Sequence, residues 1–253
     1  MQRADCIMMH LLKRHPFAVK AFFEYSAVLT YALPAEALRP LLAPGLTLDE
    51  RKGRGFAAIA MVKTRSLRPA VFPEFIGQDF FLIGYRIFAR FQTQAGKRLR
   101  GLRILKSETD SRRMVVSGNL LTHYNYHYVP VQAVSTPETL TVHAKGLDAV
   151  FHKQDNASLP ASSVFADWRE ARMYAGPLPF TFDYEEQTNS IVVIEGVREN
   201  WEPRPVEAEA ATDFFKDKMF GGAPAVLSSA FLIENVPYMW KPGRREPCAG
   251  GPD

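Results

Sequence analysis

With only two cysteines in 253 residues, Cys6 and Cys248, the chain has no material for a disulfide framework. Both stand near the ends, in stretches rich in charge, glycine and proline, and read as free thiols of a reducing compartment. Long apolar runs are also missing: Phe80 to Ile83 and Ile191 to Ile194 are far too short to span a bilayer. Near the N-terminus the apolar patch Ile7, Met8, Met9, Leu11, Leu12 is interrupted by His10 and closed by Lys13 and Arg14. That falls short of a signal core, so a soluble, cytoplasmic protein is expected, with no membrane partner.

Charge of one sign is not in large excess. The formal net charge of +4 comes from 31 basic against 27 acidic residues, with the signs mixed along most of the chain, so nucleic acid is not implied as a partner. The one basic run, Lys97-Arg98-Leu99-Arg100-Gly101-Leu102-Arg103, sits beside Gln94-Ala95-Gly96 and reads as a solvated strand edge, the alternative being contact with phosphates. There is no Gly-x-Ser-x-Gly elbow, no phosphate-binding glycine loop, no dinucleotide fingerprint and no closely spaced cysteine pair. No cofactor is therefore implied.

What the sequence has is strand periodicity. Residues Asp79 to Gln92 alternate Phe81, Ile83, Tyr85, Ile87, Ala89 and Phe91 on one face with Phe80, Leu82, Gly84, Arg86, Phe88 and Arg90 on the other, and the first set is expected to be core. Further strands are expected at Phe17 to Ala32, Phe56 to Leu67, Leu99 to Glu108, Tyr126 to Val134, Thr139 to Lys145, Phe180 to Tyr184, Ile191 to Arg198 and Val226 to Val236. Short helices are expected after Pro34, from Ser111 to Leu121 with Asp110 as cap, from Ser162 or Ser163 to Arg172, and near Thr212 to Phe220. With no repeat and no long linker, the chain reads as one domain over residues 1–253, its core at about 15–241. The expected class is α+β, mainly antiparallel: a curled sheet or barrel around an internal pocket, with a few helices outside.

Leu33-Pro34 through Pro44-Gly45-Leu46-Thr47-Leu48-Asp49, followed by a Gly-rich turn and a long strand, resembles the opening of the domain-of-unknown-function 2071 family. Tyr85-Arg86-Ile87-Phe88-Ala89-Arg90, Ser107 to Ser111, Ala175-Gly176-Pro177-Leu178-Pro179-Phe180 and Trp201-Glu202-Pro203-Arg204-Pro205 are similar to later segments of that family, and the likeness runs from about Leu33 to Trp240. The resemblance implies the fold of acetoacetate decarboxylase relatives. In the decarboxylase a lysine forms a Schiff base with a keto acid, and a second lysine directly after it lowers the first one's pKa. Gly101-Leu102-Arg103-Ile104-Leu105-Lys106 resembles the approach to that lysine, which makes Lys106 the match, but Ser107 follows it.

Taken on their own, these residues allow several readings. Strand parity puts Lys106 on the face of Leu102 and Ile104, where a desolvated amine would attack a carbonyl; the alternative is an edge ion pair with Glu108. Arg86 would fork onto a substrate carboxylate or form a buried salt bridge, with Glu195 the first candidate partner. Glu195, flanked by Val193 and Val197 on its face, is the carboxylate most expected to point inward. His123 and His127 would share a polar wall of the pocket, opposite Tyr124, Tyr126 and Tyr128, or lie on the surface; as metal ligands their spacing suits a helix that the stretch does not resemble. Two functions follow: a pocket acting on a small oxo acid or related carboxylate, with Lys106 as the amine and Arg86 as the anchor, or a non-enzymatic pocket for a small apolar or aromatic ligand.

Overall fold

The computed structural model describes residues 11–176 and 178–248, which leaves Cys6 and the apolar residues 7–9 outside the described residues. The long strands form where apolar and β-branched residues run without interruption, and turns carry the glycine, proline and asparagine. In chain order β1 (Val19–Pro34), the four-residue helix α1 (Ala35–Leu38), β2 (Leu46–Leu48), β3 (Arg54–Pro69), β4 (Gln78–Gln92) and β5 (Arg98–Thr109) are followed by the helix α2 (Arg112–Leu121). Then come β6 (Tyr126–Tyr128), β7 (Val131–Ser135), β8 (Thr139–Ala144), β9 (Leu147–His152) and the short α3 (Trp168–Ala171). Finally β10 (Phe180–Glu185), β11 (Ser190–Arg198), β12 (Arg204–Pro205), β13 (Glu207–Thr212), β14 (Val226–Trp240) and β15 (Arg244–Pro247) complete the chain.

Two sheets result. The larger has the order β12-β14-β1-β3-β4-β5-β10-β11-β15, with β2 added at β4 and β6 at β5. It is mixed, because β10 and β6 run parallel to β5 while the other neighbours are antiparallel. It also curls, since β11 pairs β14 again from Gly196↔Trp240 to Arg198↔Tyr238. The smaller sheet, β13-β9-β8-β7, is antiparallel.

Strand alternation assigns the two faces of the curled sheet to different cores. On the convex face Leu29, Ile59, Met61, Ile83 and Ile87 pack against Leu140, Val142 and Phe151 of the smaller sheet. Phe81, Ile83, Tyr85 and Ile87 are each at most 2% exposed, so that face of β4 is core as its period predicts. On the concave face Val28, Phe56, Phe88 and Phe231 meet Phe165 and Tyr174, which fill one end of the curl. Phe56 stacks on Phe165 and tilts against Tyr174, with centroids 5.2 and 4.0 Å apart. Burying such a side chain contributes ~1.5–3 kcal/mol, and these two layers hold most of them.

Several local expectations change. Ser111, not Asp110, caps α2 by accepting from the Met114 N–H, while Asp110 accepts from the Phe81 N–H across the sheet. Asp167 caps α3; the Ser162 and Ser163 hydroxyls instead donate to the carbonyls of Leu227 and Ser228. Residues near Thr212 to Phe220 form two 3-10 turns, Phe214–Lys216 and Lys218–Phe220, rather than one helix. Strands β9 and β13 were not expected. The basic run is tied down locally: Arg100 and Arg90 both pair with buried Asp49, and Arg103 donates to the Leu41 carbonyl. Cys248 is a free, buried thiol. Among the described residues no helix is long and apolar enough to cross a membrane.

Candidate functional site

The end of the curl opposite Phe165 is hollow. A cavity of about 90 Å³ lies there, and among its lining residues Arg86 alone is charged. β1 supplies Ser26, β3 supplies Thr64, β4 supplies Gly84 and Arg86, and β5 supplies Ser107. Tyr124 and Tyr126, with Met114 of α2, cover it.

Arg86 is buried, and no carboxylate pairs with it among the described residues; its Nε has no hydrogen-bond partner. Burial pushes its pKa down to about 10, with electrostatic interaction with Tyr238, Tyr124 and Tyr126 only partly offsetting it. Gly84 makes room for it. A Cβ at that position would stand 3.0 Å from a terminal guanidinium nitrogen, so the head group lies back over the bare Cα of its i−2 neighbour on the same face. Two further buried hydroxyls on this face, Ser26 Oγ and Thr64 Oγ1, have no partner either. An unpaired buried cation and unsatisfied buried hydroxyls are each costly to fold.

Lys106 is elsewhere. The register of β4 against β5 shifts between Tyr85 and Arg86: Tyr85 opposes Lys106, but Arg86 opposes Ile104. The extra residue on β5, Leu105, is a β-bulge that reverses strand parity beyond it. Ile104 and Ser107 therefore line the cavity, while Leu105 and Lys106 belong to the convex side. The expectation that Lys106 shares the face of Leu102 and Ile104 is corrected by this single residue. Its ammonium lies 2.7 Å from Glu108 Oε1 and 4.6 Å from the centre of the Tyr85 ring, and the Tyr85 hydroxyl donates to the other oxygen of Glu108 at 2.8 Å.

The remaining candidates are also dispersed. Glu195, expected to point inward and to pair with Arg86, accepts from Lys241 at 2.9 Å and is 36% exposed, because β11 leaves the core there to meet the end of β14. His127 is exposed on β6, and His123 lies half-buried outside the cavity lining, its backbone N–H donating to Asp183. Asn125, with φ of 52°, breaks the extended alternation assumed for residues 123–128. Tyr124 and Tyr126 consequently reach the cavity together, whereas Tyr128 is exposed under the Arg112 guanidinium.

Asp183 was not singled out by the sequence. It sits on β10 two residues from the cavity-lining Thr181, fully buried, and burial raises its pKa to about 7 despite the charge of Arg103 and the His123 N–H. Its one signal was an acid within a strand pattern, Phe180 to Tyr184, whose partner face could not be read.

Solved structures of similar fold include an acetoacetate decarboxylase from Legionella pneumophila, 9% identical, with a TM-score of 0.62 over 91% of this chain and 87% of that one. The enduracididine biosynthesis enzyme MppR complexed with pyruvate is 11% identical, with a TM-score of 0.59 over 91% and 90% of the two chains. An acetoacetate decarboxylase-like enzyme from Sphingomonas wittichii RW1 is 11% identical, with a TM-score of 0.58 over 92% and 94%. At these identities the likeness shows the fold. A search of curated proteins finds no match. The family model described as DUF2071, uncharacterized conserved protein, matches residues 22–231. A match over this much of the chain, on the fold that its curled sheet displays, shows that the chain belongs to the DUF2071 family.

Proposed function

We propose that this protein binds a small organic acid in the concave cavity, with Arg86 holding the carboxylate. The observation that carries the reading is the buried guanidinium with no carboxylate partner among the described residues, facing a cavity whose other polar side chains are uncharged, most of them hydroxyls. Arginine presents N–H groups in a planar fork that matches a carboxylate, and in a buried site such a charge-assisted pair is stronger than at a surface. The neighbours named above support the class of ligand, since one is a decarboxylase of acetoacetate and another holds pyruvate.

The geometry favours binding over a Schiff base at Lys106. That amine is engaged by Glu108 on the convex side of the sheet, and a carbonyl held by Arg86 would be out of its reach. Titration calorimetry with pyruvate, acetoacetate and butyrate tests the reading, with butyramide as a neutral control. Binding of the acids but not the amide, abolished in Arg86→Met, is expected; equal binding by the variant would refute it. Borohydride added to protein with each keto acid, followed by intact-mass measurement, is expected to leave Lys106 unmodified. A reduced adduct on Lys106 would restore the covalent reading.

A further inference from the structure

Beyond Tyr124 and Tyr126, which cover the Arg86 cavity, lies more empty space. A second hollow of about 90 Å³ shares Leu67, Met114, Tyr124, Tyr126 and Trp240 with it, so these side chains form the wall between two adjoining spaces. The second hollow continues between the start of β1 and α2, past Phe17, Val19 and Leu121. Its lining holds no lysine, arginine, aspartate or glutamate. Its one titratable base is His15, whose pKa burial pushes further below the ordinary histidine value, so the ring is neutral at pH 7. Apolar side chains continue to the surface near it, with Phe17 39% and Leu120 42% exposed.

Gly118 of α2 helps set the width of this passage. A Cβ there would stand 2.4 Å from the Tyr126 ring, so the glycine lets helix and ring meet at the wall of the second hollow. The site therefore has two ends of opposite character. At the inner end are a cation and hydroxyls; at the outer end the walls are mainly apolar, with His15, Ser117 and Thr122 as uncharged polar groups.

Building on the carboxylate reading, we infer that the ligand is an amphipathic monocarboxylate, its carboxylate on Arg86 and an uncharged, apolar tail running past Met114 and Trp240 toward Phe17 and Leu121. A ligand held at the inner end alone would leave the apolar side chains of the outer hollow uncovered. A tail would cover them and bury carbon against carbon. A second carboxylate on the ligand would meet no cation in the outer hollow, so dicarboxylates are disfavoured.

The test is the affinity of the wild-type protein for the straight-chain acids from acetate to decanoate, and for adipate against hexanoate. Affinity is expected to rise by up to about fourfold per methylene, the equivalent of ~0.8 kcal/mol for each buried methylene, until the tail reaches the rim. Adipate is expected to bind at least tenfold more weakly than hexanoate. Ser117→Trp, which places a bulky ring in the outer hollow from the surface of α2, is expected to weaken the longer acids while leaving acetate unchanged. If acetate binds as tightly as hexanoate, or adipate matches it, the tail is refuted while the Arg86 reading stands. If no acid of any length binds, both fall.

Discussion

Arg86 shows what a buried, unpaired cation costs a fold. Its folded pKa of about 10 lies below the ordinary 12.5, so its contribution to stability is present only above the unfolded value and is lost as the pH falls through 10. At neutral pH the penalty of burying the charge is therefore borne in full, on the order of 3 kcal/mol. Arg86→Met is expected to raise the melting temperature of the ligand-free protein by several degrees at pH 7 while abolishing acid binding. A lower melting temperature would mean that Arg86 has a structural partner. Asp183 has the opposite sign of shift. Its folded pKa of about 7 stands above the ordinary 3.8, so its contribution is fully present below about pH 4 and is lost as the pH rises through 7. Asp183→Asn is expected to flatten the fall in stability between pH 4 and pH 8 by up to about 4 kcal/mol. Unchanged chemical denaturation midpoints across that range, relative to wild type, would place its titration elsewhere.

Among the elements, β4 and β5 decide the site. The alternation of β4 was legible because both its faces are buried in different ways, one uniformly apolar and one broken by Gly84 and Arg86. Ile83→Asp is expected to yield insoluble or unfolded protein, since the charge would enter the layer between the two sheets; a soluble variant with native melting behaviour would contradict that packing. On β5 the same reasoning failed at one residue. A bulge leaves no mark in the apolar pattern when the extra residue is itself apolar, as Leu105 is, so parity carried past it put Lys106 on the wrong face. Lys106→Ala is accordingly expected to leave acid affinity within twofold of wild type, measured by calorimetry. A larger loss would reconnect that lysine to the cavity. The short elements were lost for other reasons: β9 pairs with β8 across the two-residue turn Lys145-Gly146, a local hairpin signal that the reading passed over, whereas β13 pairs with β9 across some sixty residues of sequence, which nothing local announces.

At the scale of the molecule, the curled sheet separates two tasks. Its convex face and the smaller sheet provide an apolar layer that needs no polar partner, and its concave face is closed at one end by Phe165 and Tyr174 and left hollow at the other. The fold class and the resemblance to the family were readable because they rest on many strands and turns in order. The cavity's contents were not, because they depend on which way single side chains point after a bulge at Leu105 and a left-handed residue at Asn125. Arg86 was the exception, since a cation amid phenylalanines on a long strand must either find a partner or face a ligand. The most direct test of the central claim is diffraction from crystals of the wild-type protein soaked with 6-bromohexanoate. The account predicts carboxylate oxygens at about 2.9 Å from the Arg86 guanidinium and a bromine anomalous peak between α2 and the start of β1. Density for the acid away from Arg86, or an Arg86 guanidinium already paired with a protein carboxylate, would contradict it.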